Sequence, residues 1–341
     1  MNILWIFAHP EQRSLNASLR DEGLAELEAA GHSTRLTDLY AIGFNPVVGR
    51  SDFEGDLAGR DGTAGDGTGR DGSPRLRVGE AQERGYAERT LSADILAEQE
   101  KVAWADVLVF QFPLWWFGPP AILKGWFDRV FVQGFAFGIE DEQGRVMRYG
   151  RGPLSGRRAL VVTTVGGRAT AFEGRGVHGH LEDVLHPLLH GTFWYAGIEA
   201  LPPFLVPGAD RLDERGYADH ARALRTRLRE LPGTTPIPYR AQNDGDYDEQ
   251  MLLRPELAPG RTDLAAHRTD SAALRTDADA DASRADTSLA PEAADRRILS
   301  PTGLREPEQG GGSASGGASE VGGVGAAAAV EGTEGAPVGA R

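Results

Sequence analysis

Short apolar runs and amphipathic segments alternate along the first 240 residues of the chain. The apolar runs either lack a helical period or alternate in polarity, so they predict strands. These strands lie at 2–8, 33–39, 106–112, 158–165 and 198–206. Elsewhere, apolar residues recur at helical spacing and predict amphipathic helices. These helices lie at 14–31, 92–103, 119–131, 180–190 and 217–231.

The repeated strand–helix order is typical of a parallel sheet with helices on both faces. We therefore predict an α/β fold with a doubly wound, five-stranded parallel sheet. Ser92 is the candidate N-cap of the second helix, and Pro119-Pro120 suits the first turn of the third. Pro202-Pro203 falls inside the last strand, which favours a position at the edge of the sheet.

Two segments depart from this pattern. Residues 55–74 are rich in Gly and Asp and predict a flexible surface loop. Residues 241–341 contain few large apolar side chains and end in a Gly/Ala-rich run. We expect a globular domain at 1–240 and an extended, mostly disordered tail at 241–341, wrapped loosely on the domain as far as about 258. A second domain is the alternative.

Composition narrows the function. A formal net charge of −14 disfavours nucleic-acid binding. The chain has no cysteine, which excludes thiolate catalysis and fits a reducing compartment. The opening residues predict neither a secretory signal nor a membrane span, so we expect no membrane insertion and a cytoplasmic location. No metal motif is recognisable, and neither GxGxxG nor GxxxxGK[ST] occurs where a nucleotide site would need it.

Ligands of doubly wound sheets bind outside the carboxyl ends of the strands. Three loops meet there: 9–16, 112–118 and 163–179. Ser14 either caps a helix or helps to bind a phosphate. His9 is either a packed or hydrogen-bonded histidine or part of the site. Trp115, Trp116 and Phe117 suit the face of a flat ring, a packing plug or an oligomer interface.

In the third loop, Gly166-Gly167 lets the backbone approach a ligand closely. His178 either donates a proton there or is an ordinary loop histidine.

The chain resembles the NAD(P)H:quinone oxidoreductases of the flavodoxin-like fold, of the DT-diaphorase type and its bacterial relatives. The matching segments include FAHPEQRSLN, DLYAIGFNPV, VFQFPLWWFGPPAILKGWFDRVF and TTVGGRATAFEGRGVHG.

The resemblance implies a homodimer with its site at the subunit interface and a flavodoxin-like, flavin-binding domain at 1–240. It implies that the protein binds FAD, with FMN also possible, and reduces a quinone-like acceptor with NADH or NADPH by a ping-pong hydride transfer. It implies that His178 stabilises the reduced anionic flavin. The implied cofactor-binding residues are His9, Ser14, Leu15, Asn16, Leu114, Trp115, Trp116, Phe117, Thr164, Gly166 and Gly167. The implied substrate pocket contains Trp116, Phe117, Phe137, Ile139 and Phe172.

Four positions depart from the mammalian members. Phe172, Phe137 and Ile139 stand where those enzymes have tyrosines, so we expect a more apolar pocket. Trp115 stands where they have glutamine. Two other functions stay open: a regulatory subunit of a potassium-efflux transporter, and a one-electron carrier of the flavodoxin type.

Overall fold

The computed structural model describes residues 1–53 and 76–270. The predicted loop at 55–74 and the predicted tail after 270 lie outside the described residues. The described chain forms one parallel sheet in the strand order β2-β1-β3-β4-β5, with β6 also paired to β4. The strands are β1 (Asn2–Phe7), β2 (Ser33–Asp38), β3 (Val107–Pro113), β4 (Arg158–Thr164), β5 (Glu199–Ala200) and β6 (Phe204–Val206).

The predicted fifth strand is present as two short pieces, β5 and β6, along the outer edge of β4. β5 pairs with Arg158 and Ala159, and β6 pairs with residues 162–164. Pro202-Pro203 separates them, because proline has no N–H to donate to the ladder. The sheet therefore has five strand positions, as predicted, and the last one is interrupted.

Helices cover both faces of the sheet. They are α1 (Leu15–Ala29), α2 (Val78–Ala87), α3 (Ala93–Trp104), α4 (Ala121–Val130), α5 (Leu181–Val184), α6 (His186–Leu188) and α7 (Glu214–Arg229), with a π-helical stretch at Leu189–Trp194. The helix α2 is not among the predicted helices. That helix buries only Ala81, Gln82 and Gly85, so it lacks the leucine stripe that marks the others.

Ser92 occupies the predicted N-cap position of α3, but its side chain does not cap the helix. Its hydroxyl donates instead to Asp94 at 2.6 Å. Asp94 also pairs with Arg129 of α4. Arg129 in turn binds the buried Asp52 through two of its nitrogens, at 2.7 and 3.1 Å. Arg129 is thus a structural anchor between α4 and the segment before residue 54.

Two hydrophobic cores flank the sheet. One lies between the sheet and α1 and α7, and it includes Trp5, Leu19 and Leu224. A Cβ on Gly23 would lie 2.3 Å from the Trp5 ring, so glycine is what lets α1 approach the sheet this closely. The other core lies beneath α3 and α4, where Phe110 packs against Trp126 with ring centroids 5.9 Å apart.

The chain beyond 240 continues to pack on the domain. Tyr239 and Arg268 form an antiparallel bridge, and Arg268 makes an ion pair with Glu182. Arg240 donates from Nε to the carbonyl of Ala266 at 3.1 Å. The packed part thus extends to 270, beyond the 258 expected from the sequence, because paired arginines supply contacts that an apolar pattern does not reveal. Among the described helices, none combines the length and apolarity needed to cross a membrane.

Candidate active site

A cleft of about 380 Å³ opens at the carboxyl ends of β1, β3 and β4. Such ends are where doubly wound sheets hold their ligands. Eight residues predicted from the sequence line it: His9, Ser14, Leu15, Asn16, Leu114, Trp115, Thr164 and Gly166. Four lining residues were not predicted: Pro113, Val165, Ala209 and Asp210.

The N-terminus of α1 forms one wall of the cleft. The Ser14 hydroxyl accepts the N–H of Ala17 at 3.2 Å, and the Ser14 carbonyl accepts the N–H of Ser18 at 3.0 Å. The backbone N–H groups of Leu15 and Asn16 have no acceptor within the described chain. Ser14 therefore caps the helix while two neighbouring donors stay available, which suits an anion such as phosphate.

The first loop is held by its own polar groups. The N–H of Glu11 lies 3.1 Å from Nδ1 of His9. The backbone N–H of Arg13 donates to Glu11 at 2.8 Å, and the Arg13 side chain also pairs with that carboxylate. These bonds from Arg13 lower the pKa of Glu11. The loop thus carries a fixed, paired charge next to the cleft rather than a free carboxylate.

A buried hydrogen-bond network forms the floor of the cleft. Trp5 donates from its indole to Oε1 of Gln111 at 2.9 Å, and Gln111 donates from Nε2 to the carbonyl of Asn16 at 2.7 Å. The Asn16 side chain donates to the Thr164 hydroxyl at 3.0 Å. All four residues are nearly or fully buried. The network fixes the start of α1 against the ends of β3 and β4, and it occupies the side chains of Asn16 and Thr164.

The aromatic stretch after β3 forms a tight reverse turn. Trp115 and Gly118 exchange both backbone hydrogen bonds, at 3.1 and 3.0 Å. The central residues, Trp116 and Phe117, both have positive φ, at 50° and 59°. Two successive left-handed residues define a type I′ turn, which usually contains Asn and Gly. Bulky aromatic residues are strained in this conformation, and such strain concentrates at functional sites.

The turn displays its side chains instead of burying them. Trp116 is 98% exposed, Phe117 51% and Trp115 46%. Their apolar surface is therefore available to a ligand or to another protein, and the core does not use it.

His178 is held between two phenylalanines. Its ring lies edge-on to Phe117, with centroids 5.1 Å apart, and 4.9 Å from Phe172. Its backbone N–H donates to the carbonyl of Ala171 at 3.0 Å. Gly167 lies beside Phe172, since a Cβ there would be 3.6 Å from that ring. Gly167, Phe172, His178 and the aromatic turn thus form a continuous rim next to the cleft.

Asp210 is the charged residue among the four lining residues that were not predicted from the sequence. A Cβ on Gly166 would lie 2.2 Å from Oδ2 of Asp210, so this glycine makes room for the carboxylate. The neighbouring Arg211 donates to the Gly166 carbonyl at 2.8 Å. Both follow β6, the last strand of the sheet. The strand-end rule that singled out the other loops could have identified this one as well.

The structure does not bring Phe137 and Ile139 to the cleft of the same chain. Phe137 lines a separate cavity of about 680 Å³, together with Pro119, Lys124 and Asp128. That cavity lies along the face of α4 that does not carry the core residues Leu123 and Trp126. Ile139 is 38% exposed and sits in a hairpin. The residues of the predicted substrate pocket therefore do not lie together within one chain. Phe117 and Phe172 lie at the rim of the cleft, whereas Phe137 lines the other cavity.

Three histidines cluster where the segment 239–270 packs on the domain. His186 and His190 stack with centroids 4.7 Å apart, and His267 lies 5.9 Å from His190. Burial, reinforced by the two neighbouring histidines, lowers the pKa of His190 to about 3. Burial also lowers the pKa of His186 and of His267. Within the described chain, no group of three or more His, Cys, Asp or Glu has the arrangement needed for a metal ion.

Comparisons with known proteins agree on the fold and on the kind of relatives. A family model described as "Flavodoxin-like fold" matches residues 1–228. The chain is 42% identical to a ribosyldihydronicotinamide dehydrogenase-like protein of Penicillium crustosum, over 76% of this chain and 92% of the relative. It is 32% identical to NAD(P)H dehydrogenase [quinone] 1 of Cavia porcellus, over 74% of this chain and 86% of the relative.

A solved structure shows the same similarity. A Klebsiella pneumoniae protein assigned as a quinone reductase is 42% identical to this chain. It matches with a TM-score of 0.70, over 79% of this chain and 100% of its own.

Proposed function

The chain belongs to the NAD(P)H:quinone oxidoreductase family of the flavodoxin-like fold, and from this membership we propose that it reduces quinones with electrons from a reduced nicotinamide through a bound flavin. One observation carries the proposal. The N-terminus of α1 with its free N–H groups, Gly166 and Trp115 of the aromatic turn line a single cleft, and the rest of the exposed turn lies at its rim.

The residues of the cleft fit a flavin nucleotide. The free N–H groups of Leu15 and Asn16, with the hydroxyl of Ser14, suit a phosphate. The aromatic turn, preceded by Leu114, offers apolar surface to a flat ring system. The backbone at Gly166 and Gly167 has no side chain that would block the polar edge of such a ring. A cleft of about 380 Å³ lies within the usual range for small-molecule sites.

A bound flavin would supply the hydride chemistry, taking two electrons from the nicotinamide and passing them to the quinone in a ping-pong cycle. The protein's own groups would orient the two substrates in turn and hold charge at the ring edge. We assign charge stabilisation to His178, whose ring is fixed by Phe117 and Phe172. Phe172 has no hydroxyl, so it would shape the pocket without relaying a proton.

We propose FAD as the cofactor, with FMN as the alternative. The family relationship supports a flavin, and the cleft offers groups suited to the phosphate and the ring system that both nucleotides share. Asp210 and Ala209 extend the lining beyond the ring edge. Release of the flavin by heat, followed by chromatography, distinguishes the two nucleotides directly.

We also propose a homodimer in which a second copy covers the 680 Å³ cavity. Its apolar walls include Phe131, Phe137 and Leu188. Phe137 and Ile139 do not line the cleft of their own chain, so a pocket role for them requires a partner. Gel filtration with light scattering measures the assembly, and Phe137→Asp is expected to shift it toward the monomer.

The similarities favour a reductase over the regulatory-subunit and carrier functions, since the relatives that match most of the chain are named as dehydrogenases or reductases. A cytoplasmic location remains a prediction from the sequence. The decisive experiment is to purify the protein, measure bound or added flavin, and follow NAD(P)H oxidation with a quinone acceptor. Protein that takes up neither FAD nor FMN would contradict the proposal.

A further inference from the structure

Two arginines lie in the loop that carries His178, and neither side chain has a partner in the described chain. Arg168 directly follows Gly166-Gly167, and Arg175 precedes His178 by three residues. Both are exposed, and neither guanidinium makes a hydrogen bond or ion pair with a described residue. Arginines elsewhere in the chain are commonly paired, as Arg20 is with Asp38 and Arg225 with Glu22.

The loop that carries these two arginines is folded tightly and starts at the cleft-lining Gly166. The N–H of Gly176 donates to the carbonyl of Glu173 at 2.8 Å, which closes a turn around Arg175. A Cβ on Gly176 would lie 2.4 Å from the carbonyl oxygens of Thr170 and Ala171. The second half of the loop therefore lies directly against the first half, which starts at the cleft-lining Gly166.

A third cation is attached to the same backbone. Arg211 donates to the carbonyl of Gly166 at 2.8 Å. The two segments 166–178 and 208–211 contain three arginines and two acidic residues, Glu173 and Asp210. The local balance is positive, although the whole chain carries a formal net charge of −14. A positive rim on an acidic protein favours an anionic ligand at this position.

The two kinds of donor named by the relatives differ in charge. Both carry the same dihydronicotinamide ring, but NAD(P)H also carries a diphosphate, whereas ribosyldihydronicotinamide carries no phosphate. We propose that Arg168 and Arg175 bind phosphate groups of NAD(P)H and thereby determine the preference for the phosphorylated donor. Arginine suits this role because its planar guanidinium binds phosphate oxygens in pairs. This inference rests on the proposed reductase function.

The test compares donors that share the reacting ring. Arg168→Gln, Arg175→Gln and the double variant are assayed with NADH, NADPH and ribosyldihydronicotinamide against one quinone. For the double variant we expect kcat/KM with NADPH to fall about tenfold, mainly through KM, on the scale of one lost charge-assisted contact. The loss with the riboside is expected to be at least several times smaller. Equal losses for both donors, or no loss with NADPH, would overturn the proposal.

Two further measurements complete the test. Arg222→Gln is the matched control, because Arg222 is an exposed arginine on α7 that pairs with Asp219. Titration calorimetry with NADP⁺ measures phosphate recognition without turnover, and the double variant is expected to bind about tenfold more weakly. Unchanged NADP⁺ affinity would contradict the role of the arginines even in an active enzyme. Failure to oxidise any donor would instead contradict the reductase function, and the NADP⁺ titration would still decide the role of the arginines.

Discussion

The ring of Phe117 packs edge-on against the imidazole of His178, with the two centroids 5.1 Å apart. Phe117 belongs to the turn after β3, and His178 belongs to the loop after β4. The contact therefore joins two loops at the same edge of the sheet. Since Phe172 packs against the imidazole at 4.9 Å, the orientation of His178 depends on the two phenylalanines.

Replacing His178 by alanine tests its proposed role in charge stabilisation. We expect His178→Ala to slow flavin reduction by NAD(P)H about 100-fold, the lower end of the range for an acid–base or charge-stabilising group. Flavin affinity should change much less, because the described cleft lining does not include His178. Stopped-flow absorbance measures the first quantity and fluorescence titration the second. His220→Ala on α7 is the control. Unchanged reduction kinetics in His178→Ala would mean that His178 only packs against its neighbours.

Replacing Trp116 by asparagine separates stability from binding. Asparagine tolerates positive φ better than tryptophan does, and the 98% exposed Trp116 side chain contributes no core packing. We expect Trp116→Asn to raise the free energy of unfolding of the flavin-free protein by about 0.5–1 kcal/mol and to weaken flavin binding. Urea unfolding and flavin titration measure the two effects. Trp115→Asn, at a position without positive φ, should give no gain in stability.

Removing Gln111 disrupts the floor of the cleft. Gln111→Leu leaves the Trp5 indole N–H buried without its partner and removes the side-chain donor to the Asn16 carbonyl, which as part of α1 keeps its helical bond. An unsatisfied buried group costs about 1–3 kcal/mol, so we expect a loss of about 1–3 kcal/mol in unfolding free energy. In a Trp5→Phe background the same substitution should cost less, because one donor is already gone. Equal costs in both backgrounds would mean that the two side chains do not interact energetically.

The histidine cluster predicts a loss of stability in acid. The pKa of His190 is about 3 in the folded protein, whereas an unperturbed histidine, the reference for the unfolded chain, has a pKa of 6.5. Above pH 6.5 the imidazole is neutral in both the folded and the unfolded chain, so its titration does not lower the unfolding free energy. As the pH falls from 6.5 toward 3, only the unfolded chain takes up the proton. The unfolding free energy then decreases by about 1.4 kcal/mol per pH unit for each such proton.

Urea unfolding at several pH values measures this slope. His190→Phe keeps an aromatic ring against His186 and Tyr149 but removes the titrating group. We expect a shallower pH dependence in this variant between about pH 4 and 6.5. An unchanged slope would assign the acid sensitivity to other groups.

Truncation tests the extent of the packed C-terminal segment. Ending the chain after 258 removes the Arg268–Glu182 ion pair and the contact of Tyr247 with His267, whose OH and Nδ1 lie 3.0 Å apart. Ending it after 270 removes none of the described contacts. We therefore expect the 1–258 chain to melt at a lower temperature than the 1–270 chain. Identical melting temperatures would support the shorter boundary that the sequence predicted.

Much of the fold follows from local sequence patterns. Apolar runs such as 2–8 and 106–112 must be buried, and the leucine stripe that begins at Leu15 requires a helix against the sheet. The strand ends identified three loops, and these contain the eight cleft-lining residues that the family resemblance implied. The helix α2 escaped detection because its buried face consists of small and polar residues.

Other features depend on how distant parts of the chain pack together. Asn16 and Thr164 are 148 positions apart in sequence, yet their side chains are hydrogen-bonded at the floor of the cleft. Asp210 reaches the cleft because Gly166 leaves room for it, and Phe137 lies in another cavity although the family resemblance grouped it with Phe117. Periodicity along the chain was enough to assign the strands and most of the helices, because it reflects the burial of one face of a single element. It could not say which side chains meet, because those contacts arise only when separate elements approach one another in the folded protein.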